Sequence, residues 1–290
     1  MKKRSQESEA RSRSAAHVRT AVIPAAGFGT RFLPATKAIP KELLPVAGKP
    51  VIQYVVEEAA AAGITRIVLV LSHGKEAILE HFGRNAKLET TLKKSGKTEV
   101  LQSLQTLPRG VKIQVVYQEQ MRGLGDAVLC TREAVGDEPF AVLMGDTILH
   151  SARSTISPTA RLVEAHGICK TSVIAIEKVP LERVAHYGVI AGEPMRHGLW
   201  RVNDMVEKPA PAEAPSQMAV CSRYVLTSDI FDKLARTKRG KGGEIQLTDA
   251  LRLQCAETPI HALEAHAKRY DIGNKDGFLA ANIAFARLGL

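Results

Sequence analysis

Ala21–Val46 reads AVIPAAGFGTRFLPATKAIPKELLPV. Ala21 to Pro24 form a short strand, and the chain then breaks into small residues, Ala25-Ala26-Gly27-Phe28-Gly29-Thr30. A strand that runs into a glycine turn leaves backbone N–H groups unpaired and lets a ligand approach the main chain closely. Arg31 and Lys41 follow, a planar fork and a point charge, both suited to a polyphosphate. Pro34 and Pro40 oppose a long helix and favour an ordered loop that holds those cations in place. An ordinary strand–loop–helix connection with surface charges is the other reading of the same residues.

Outward from this stretch the pattern alternates strand and helix, which predicts an α/β layered domain. Pro50 opens a helix, VIQYVVEEAAAA, that Gly63 closes, the usual asymmetry of helix ends. RIVLVLS (66–72) is a β-branched run typical of a buried parallel strand. His73-Gly74 turns the chain into a helix over 76–82, and residues 85–106 form a polar, partly helical excursion. Strands follow over 111–118 and 139–144, separated by a Gly123-Leu124-Gly125 turn and a helix to about Val135. Shorter strands, several of them antiparallel, are expected over 171–177, 187–191, 200–206 and 218–226. Ser228 and Thr248 are candidate helix caps, and Asp271-Ile272-Gly273-Asn274 precedes a C-terminal helix. The expected organisation is a basic tail over 1–19 and one domain over 20–290. Its first half (about 20–150) is expected to bind a nucleotide, and its second (about 151–290) a sugar phosphate.

The 290 residues carry a formal charge of +10. Six cations against two acids fall in the first twenty residues, which lack aromatics and any nucleic-acid motif. A solvated tail is therefore expected, with no nucleic-acid partner. No apolar run approaches the ~20 residues that span a membrane, and the N-terminus lacks the apolar region of a secretory signal. Cys130, Cys169, Cys221 and Cys255 are widely spaced, which fits reduced thiols in a cytoplasm.

The stretch GTRFLPATKAIPKELLPV, followed in order by KPVIQYVVEEAAAAGI, GLGDAVLC, HYGVI, MVEKP, GGEIQLTDAL and DIGNKDGF, resembles the sugar-1-phosphate nucleotidyltransferase family. Within it the sequence looks like the bacterial UTP–glucose-1-phosphate uridylyltransferase (UDP-glucose pyrophosphorylase) branch, over about residues 20–285. The resemblance implies a Rossmann-like three-layer α/β/α sandwich with a mostly parallel, mixed central sheet. It implies synthesis of UDP-glucose and pyrophosphate from UTP and glucose 1-phosphate with Mg²⁺, by a homodimer or homotetramer. Residue by residue, Ala26, Gly27 and Gly29 would approach the nucleotide with bare backbone, and Gln118 and Gly123 would contact the base. Arg31 and Lys41 would grip the triphosphate, and Asp146 and Asp271 would converge on the metal. Glu207 would bind sugar hydroxyls, Lys208 the sugar phosphate, and Gly188 the sugar ring. Glu244 and Asp249 are expected to cap a helix or to pack at a subunit contact.

Other classes fit less well. A dinucleotide loop needs a third glycine where Phe32 stands, and an acidic residue where Lys49-Pro50-Val51 stands. No GxxxxGK[ST] occurs. A regulatory homologue would be expected to lose Arg31, Lys41, Asp146, Lys208 and Asp271, all of which are present. A sister enzyme using dTTP or another sugar phosphate would share this core.

Overall fold

The computed structural model describes residues 18–104, 106–151 and 154–289. Its strands are β1 (Thr20–Pro24), β2 (Pro45–Val46), β3 (Lys49–Pro50), β4 (Arg66–Leu71), β5 (Lys112–Tyr117), β6 (Phe140–Leu143) and β7 (Thr147–His150). After these come β8 (Ser172–Lys178), β9 (Gly188–Pro194), β10 (Leu199–Glu207), β11 (Met218–Leu226), β12 (Ile260–Glu264) and β13 (Lys268–Asp271). The helices are α1 (Val51–Ala61), α2 (Ala77–Phe82), α3 (Ala86–Lys94), α4 (Thr98–Ser103), α5 (Leu124–Leu129) and α6 (Arg132–Val135). They continue with α7 (Pro158–Cys169), α8 (Ile230–Arg236), α9 (Leu247–Glu257) and α10 (Lys275–Arg287).

Nine strands make one sheet in the order β5-β4-β1-β6-β11-β8-β12-β10-β9. β5, β4, β1 and β6 run parallel. Beyond β6 only β8 and β12 pair in parallel; the other neighbours are antiparallel. The sheet is mixed, and its run of four parallel strands comes from the first half of the chain. β9 also meets β11 at Val189–Ala219, so the far end of the sheet curls back on itself. The chain passes from β1 to β4 and β5 on one side, then returns to β6 on the other. The carboxyl ends of β1 and β6 thus flank a topological switch point, where open α/β sheets bind ligands.

Strand alternation explains the layers. Ala21 and Ile23 of β1 join Ile67, Leu69 and Leu71 of β4 beneath α1 and α7. Val22, Val68 and Val70 face the other way, against α5, α6, α8 and α9. Both faces are covered, so these strands read as continuous apolar runs. A smaller cluster of Val46, Val51, Ile148, Tyr270, Ile272 and Phe285 seats α10 and the β7–β13 ribbon.

Several local expectations are corrected. The expected 1–19 tail lies outside the described residues except for its end. There Val18 is buried and the Arg19 carbonyl accepts the N–H groups of Thr65 and Arg66, each at 3.0 Å. The prolines after Gly29 do break the chain, into three single-turn 3₁₀ segments at 30–32, 35–37 and 41–43. Only Gly123 belongs to the expected glycine turn; Leu124 and Gly125 already lie in α5. Ser228 is not a cap: Asp229 stands at that position and no side chain caps α8. Thr248 lies inside α9, and neither Glu244 nor Asp249 caps it. Helix α7 and strand β12 were not expected. The apolar stripe of α7 is short and interrupted by Gly167, and β12 is only IHALE. No helix among the described residues is long and apolar enough to cross a membrane.

Candidate active site

After β1 the carbonyls of three successive residues are held from one side, by the turn that follows β4. The Ser72 hydroxyl donates to Ala26 O at 2.8 Å. The Lys75 ammonium donates to Ala25 O and Gly27 O, each at 2.6 Å. The N–H groups of Ala26, Gly27, Phe28 and Gly29 find no partner among the described residues. Gly27 has no positive φ, and a Cβ there would meet nothing within 4 Å. Neither conformation nor packing therefore demands glycine at 27, and the open space in front of it is what a Cβ would fill. Gly29 is left-handed (φ 66°) and lies close to Thr36 and Lys41.

Lys41 is the first site residue whose setting differs from a free cation. Its ammonium is bonded to the Asp146 carboxylate, which follows β6 at the neighbouring strand end. Burial pushes the Asp146 carboxyl up, but the charge and hydrogen bond of Lys41 outweigh it and leave the carboxyl below its usual range. Burial likewise pushes Lys41 down, while Asp146 and Glu42 raise it above the ordinary lysine range. Behind them lies a second pair that the sequence reading missed, Glu42 and Lys75, with 2.8 Å between Oε2 and Nζ. Both are buried. Burial pushes the Glu42 carboxyl up and the Lys75 ammonium down, and their mutual attraction offsets only part of this.

Asp146 and Asp271 do come together. β7 and β13 pair Thr147 with Asp271, and Ile272 N–H donates to Asp146 O at 2.9 Å. A Cβ on Gly273 would stand 2.9 Å from Asp271 Oδ1 and 3.1 Å from Asp146 Oδ2. The separation of the two oxygens is bounded by the sum of those distances, and glycine is the residue that leaves room between them. Asp271 is oriented by Gly273 N–H at 2.8 Å and the Asn274 amide at 3.0 Å. No group of three acidic, histidine or cysteine side chains gathers among the described residues. Two carboxylates are a sparse, hard-oxygen donor set, which suits magnesium when substrate phosphates and water complete its shell.

Gln118 directly follows β5 and is buried. Its amide nitrogen donates to Gly123 O at 3.1 Å and Asp126 Oδ2 at 2.8 Å. Two acceptors fix the nitrogen there, so the amide offers a ligand its oxygen only, rather than both donor and acceptor. Gly123 (φ 103°) lies under the 244–245 segment: a Cβ would meet Glu244 Cβ at 2.6 Å and Ile245 O at 2.9 Å. Ala25, Ala26, Gly27, Lys41, Gln118, Gly123, Asp146 and Glu244 all line one cavity.

The second wall comes from the β9–β10 hairpin, where Gly188 faces Glu207. Lys208 is left-handed (φ 48°) and donates its N–H to Tyr187 O at 2.9 Å. This breaks the alternation of the strand, so Glu207 and Lys208 point together, with 3.0 Å between Oε1 and Nζ. Glu207 Oε2 accepts the Thr248 hydroxyl at 2.7 Å. A Cβ on Gly188 would lie 2.8 Å from that hydroxyl. Lys208 and Asp271 line a second, larger cavity of about 1100 Å³ with Arg31, Arg183, Lys268 and Arg269. Arg31 is exposed, and its guanidinium reaches Gly273 O at 3.5 Å. Asp146 lines one cavity and Asp271 the other, so the carboxylate pair stands at the border of both. Among missed residues, Thr248 and Ile245 sit in GGEIQLTDAL, a motif visible in sequence although its task was not. Lys75 and Glu42 carry no local signature.

Comparison with known proteins places this geometry. Over 265 residues, 91% of this chain and 88% of the relative, it is 49% identical to UTP–glucose-1-phosphate uridylyltransferase YngB of Bacillus subtilis strain 168. A UDP-glucose pyrophosphorylase solved with UDP-glucose superposes with a TM-score of 0.84 at 40% identity, covering 93% of this chain and 99% of that one. A UTP-bound UGPase from Acinetobacter baumannii gives 0.86 at 37% identity, over 92% and 93%. The nucleotidyl transferase family model matches residues 20–287, which takes in the glycine turn, both carboxylates and the Glu207–Lys208 pair, and the chain belongs to that family.

Proposed function

We propose that this site joins UTP and glucose 1-phosphate to give UDP-glucose and pyrophosphate. The observation that carries the reading is the pairing of Asp146 and Asp271, one lining a cavity with the glycine turn and the other a cavity rich in cations. The relatives named for UTP and UDP-glucose support the same substrates. In this reading the uridine lies over Ala26, Gly27 and Gly29, with the Gln118 oxygen accepting the uracil N3–H. Cytosine has no hydrogen at N3, so that contact discriminates against it. Arg31 and Lys41 hold the triphosphate. Glu207 receives sugar hydroxyls, Gly188 gives the ring room, and Lys208 holds the sugar phosphate.

No general base is required, because the attacking phosphate oxygen is already ionised. It forms a bond to the α-phosphorus as the bond from that phosphorus to the bridging oxygen breaks, and pyrophosphate leaves on the opposite side. The obstacle is repulsion between two polyanions, so alignment and fixed positive charge supply the catalysis. Lys208, parked on Glu207 at 3.0 Å, exchanges one anion for another when the sugar phosphate arrives. Asp146 and Asp271 would hold Mg²⁺, which when bound supplies Lewis-acid stabilisation of phosphate charge. Lys41, bonded to Asp146 in this structure, would pair instead with the triphosphate when that anion arrives. The reading includes a cytoplasmic setting, which suits four free cysteines, and a homodimer or homotetramer, testable by sedimentation.

The deciding experiment is pyrophosphate release with Mg²⁺ and glucose 1-phosphate, with UTP, dTTP, ATP, CTP and GTP compared side by side. Release with UTP in clear preference is the expected result. A preference for dTTP would move the chain to the sister branch, and silence with every nucleotide would overturn the reading.

A further inference from the structure

Lys75 lies 7% exposed behind the glycine turn. An ammonium has three donors, and here all are taken: Ala25 O and Gly27 O at 2.6 Å each, and the Glu42 carboxylate at 2.8 and 3.1 Å. Lys75 has no donor left for a ligand, so it is not itself a phosphate contact. In a trans peptide the carbonyl and the following N–H point in opposite directions. Fixing Ala25 O therefore aims the Ala26 N–H away from Lys75, and fixing Gly27 O does the same to the Phe28 N–H. Ser72, on the same turn, fixes Ala26 O and so aims the Gly27 N–H. Three unpartnered N–H groups are thereby presented on the face of the loop opposite Lys75, in the manner of an anion-binding nest. Lys75 also grips Glu42, the neighbour of Lys41 in sequence, and so couples the turn that the mechanism assigns to the uridine with the segment that it assigns to the triphosphate.

We propose that Lys75 is a positioning residue for the nucleotide, setting the glycine turn's N–H groups toward the UTP phosphates and ribose, with Ser72 as its partner. This rests on the reading of the first cavity as the nucleotide site. The rival account makes Lys75 a neutraliser of the buried Glu42 charge and nothing more. The variant Glu42→Gln/Lys75→Met separates the two, because it removes both buried charges at similar volume while leaving two carbonyls unheld.

The expected result is a folded protein whose Kd for UTP, by calorimetry, rises about 100-fold, as for the loss of orienting hydrogen bonds from a charged donor. Its KM for glucose 1-phosphate should stay within about threefold, the second wall sharing no contact with Lys75. Ser72→Ala, which buries no charge, should raise the UTP Kd about fivefold, as for one neutral hydrogen bond, again without moving the sugar-phosphate KM. A UTP Kd within about threefold of wild type in the double variant, with Ser72→Ala also unchanged, would overturn the inference. Wild-type protein that fails to bind UTP overturns the nucleotide reading and this inference together. Wild-type binding with unaltered variants overturns the inference alone.

Discussion

The two walls of the cleft are built by different means. The first is main chain at the carboxyl ends of parallel strands, held from behind by buried side chains of the neighbouring turn. The second is a pair of side chains at the end of an antiparallel hairpin, aimed by one hydroxyl from a helix some forty residues on. A wall of backbone is set by the fold and changes only when the loop moves. A wall of side chains can be altered one hydrogen bond at a time. The first wall should therefore govern whether a nucleotide binds, and the second should govern turnover and sugar choice. GGEIQLTDAL connects them: Gly125 N–H donates to Ile245 O at 2.8 Å, and Thr248 holds Glu207.

The largest effect is expected from Lys208→Ala. Removing the cation proposed to align the nucleophile should lower kcat by about 10³, with the Kd for UTP within about twofold. A parallel loss of UTP affinity would show that the walls are not independent.

The next effect concerns the seam between the two halves. Arg223, 0% exposed, forks onto Glu58 of α1 at 2.7 and 3.1 Å and donates to Thr147 O at 2.8 Å. Thr147 adjoins Asp146. Arg223→Met leaves Glu58, its side chain 9% exposed, without its cation and should destabilise the protein by about 3–5 kcal/mol in denaturant melts. Glu58→Gln/Arg223→Met should recover most of that loss. If the double variant is as unstable as the single, the seam depends on the shape of arginine rather than on charge.

Much of the first wall was legible because it is local. A strand, small residues, Arg31, prolines and Lys41 lie within one continuous segment, and Asp146 ends a run of apolar residues. The second wall was legible only as short motifs with no visible reason for their spacing. Thr248 reads as a cap because threonine before an apolar helix commonly is one; only the fold brings it beside Glu207. Lys75 in HGKEAI reads as an ordinary solvated residue at a helix start. Its burial depends on Glu42, more than thirty residues earlier. Gln118 was identified, but its amide orientation depends on Asp126 and Gly123. Buried polar pairs between distant segments leave no periodic mark in the sequence, whereas strand alternation and glycine turns do.

A smaller change tests the aim of the second wall. Thr248→Val keeps the shape of α9 and deletes one hydrogen bond to Glu207. The KM for glucose 1-phosphate should rise about fivefold, as for the loss of about 1 kcal/mol, with UTP binding unaltered. Gly188→Ala should act in the same direction, since its methyl would press on the Thr248 hydroxyl.

The finest comparison is between the ion pairs of the two walls. Asp146 has a depressed carboxyl because Lys41 outweighs its burial. Its contribution to stability is therefore present above the unfolded value of about 3.9 and is lost as pH falls through the lower folded value. Lys41 is raised, so its contribution is present below about 10.4 and is lost as pH rises through the higher folded value. The stability gap between wild type and Asp146→Asn should then be widest on the plateau between those limits and close at both ends. The Glu207–Lys208 pair differs: Lys208 is 38% exposed, and such pairs contribute about 0–1 kcal/mol. Glu207→Gln should leave denaturant midpoints nearly unchanged at neutral pH while still raising the KM for the sugar phosphate. A large stability loss from Glu207→Gln would mean that the second wall is as structural as the first. Its residues would then be held in place by folding energy rather than left free to exchange one anion for another.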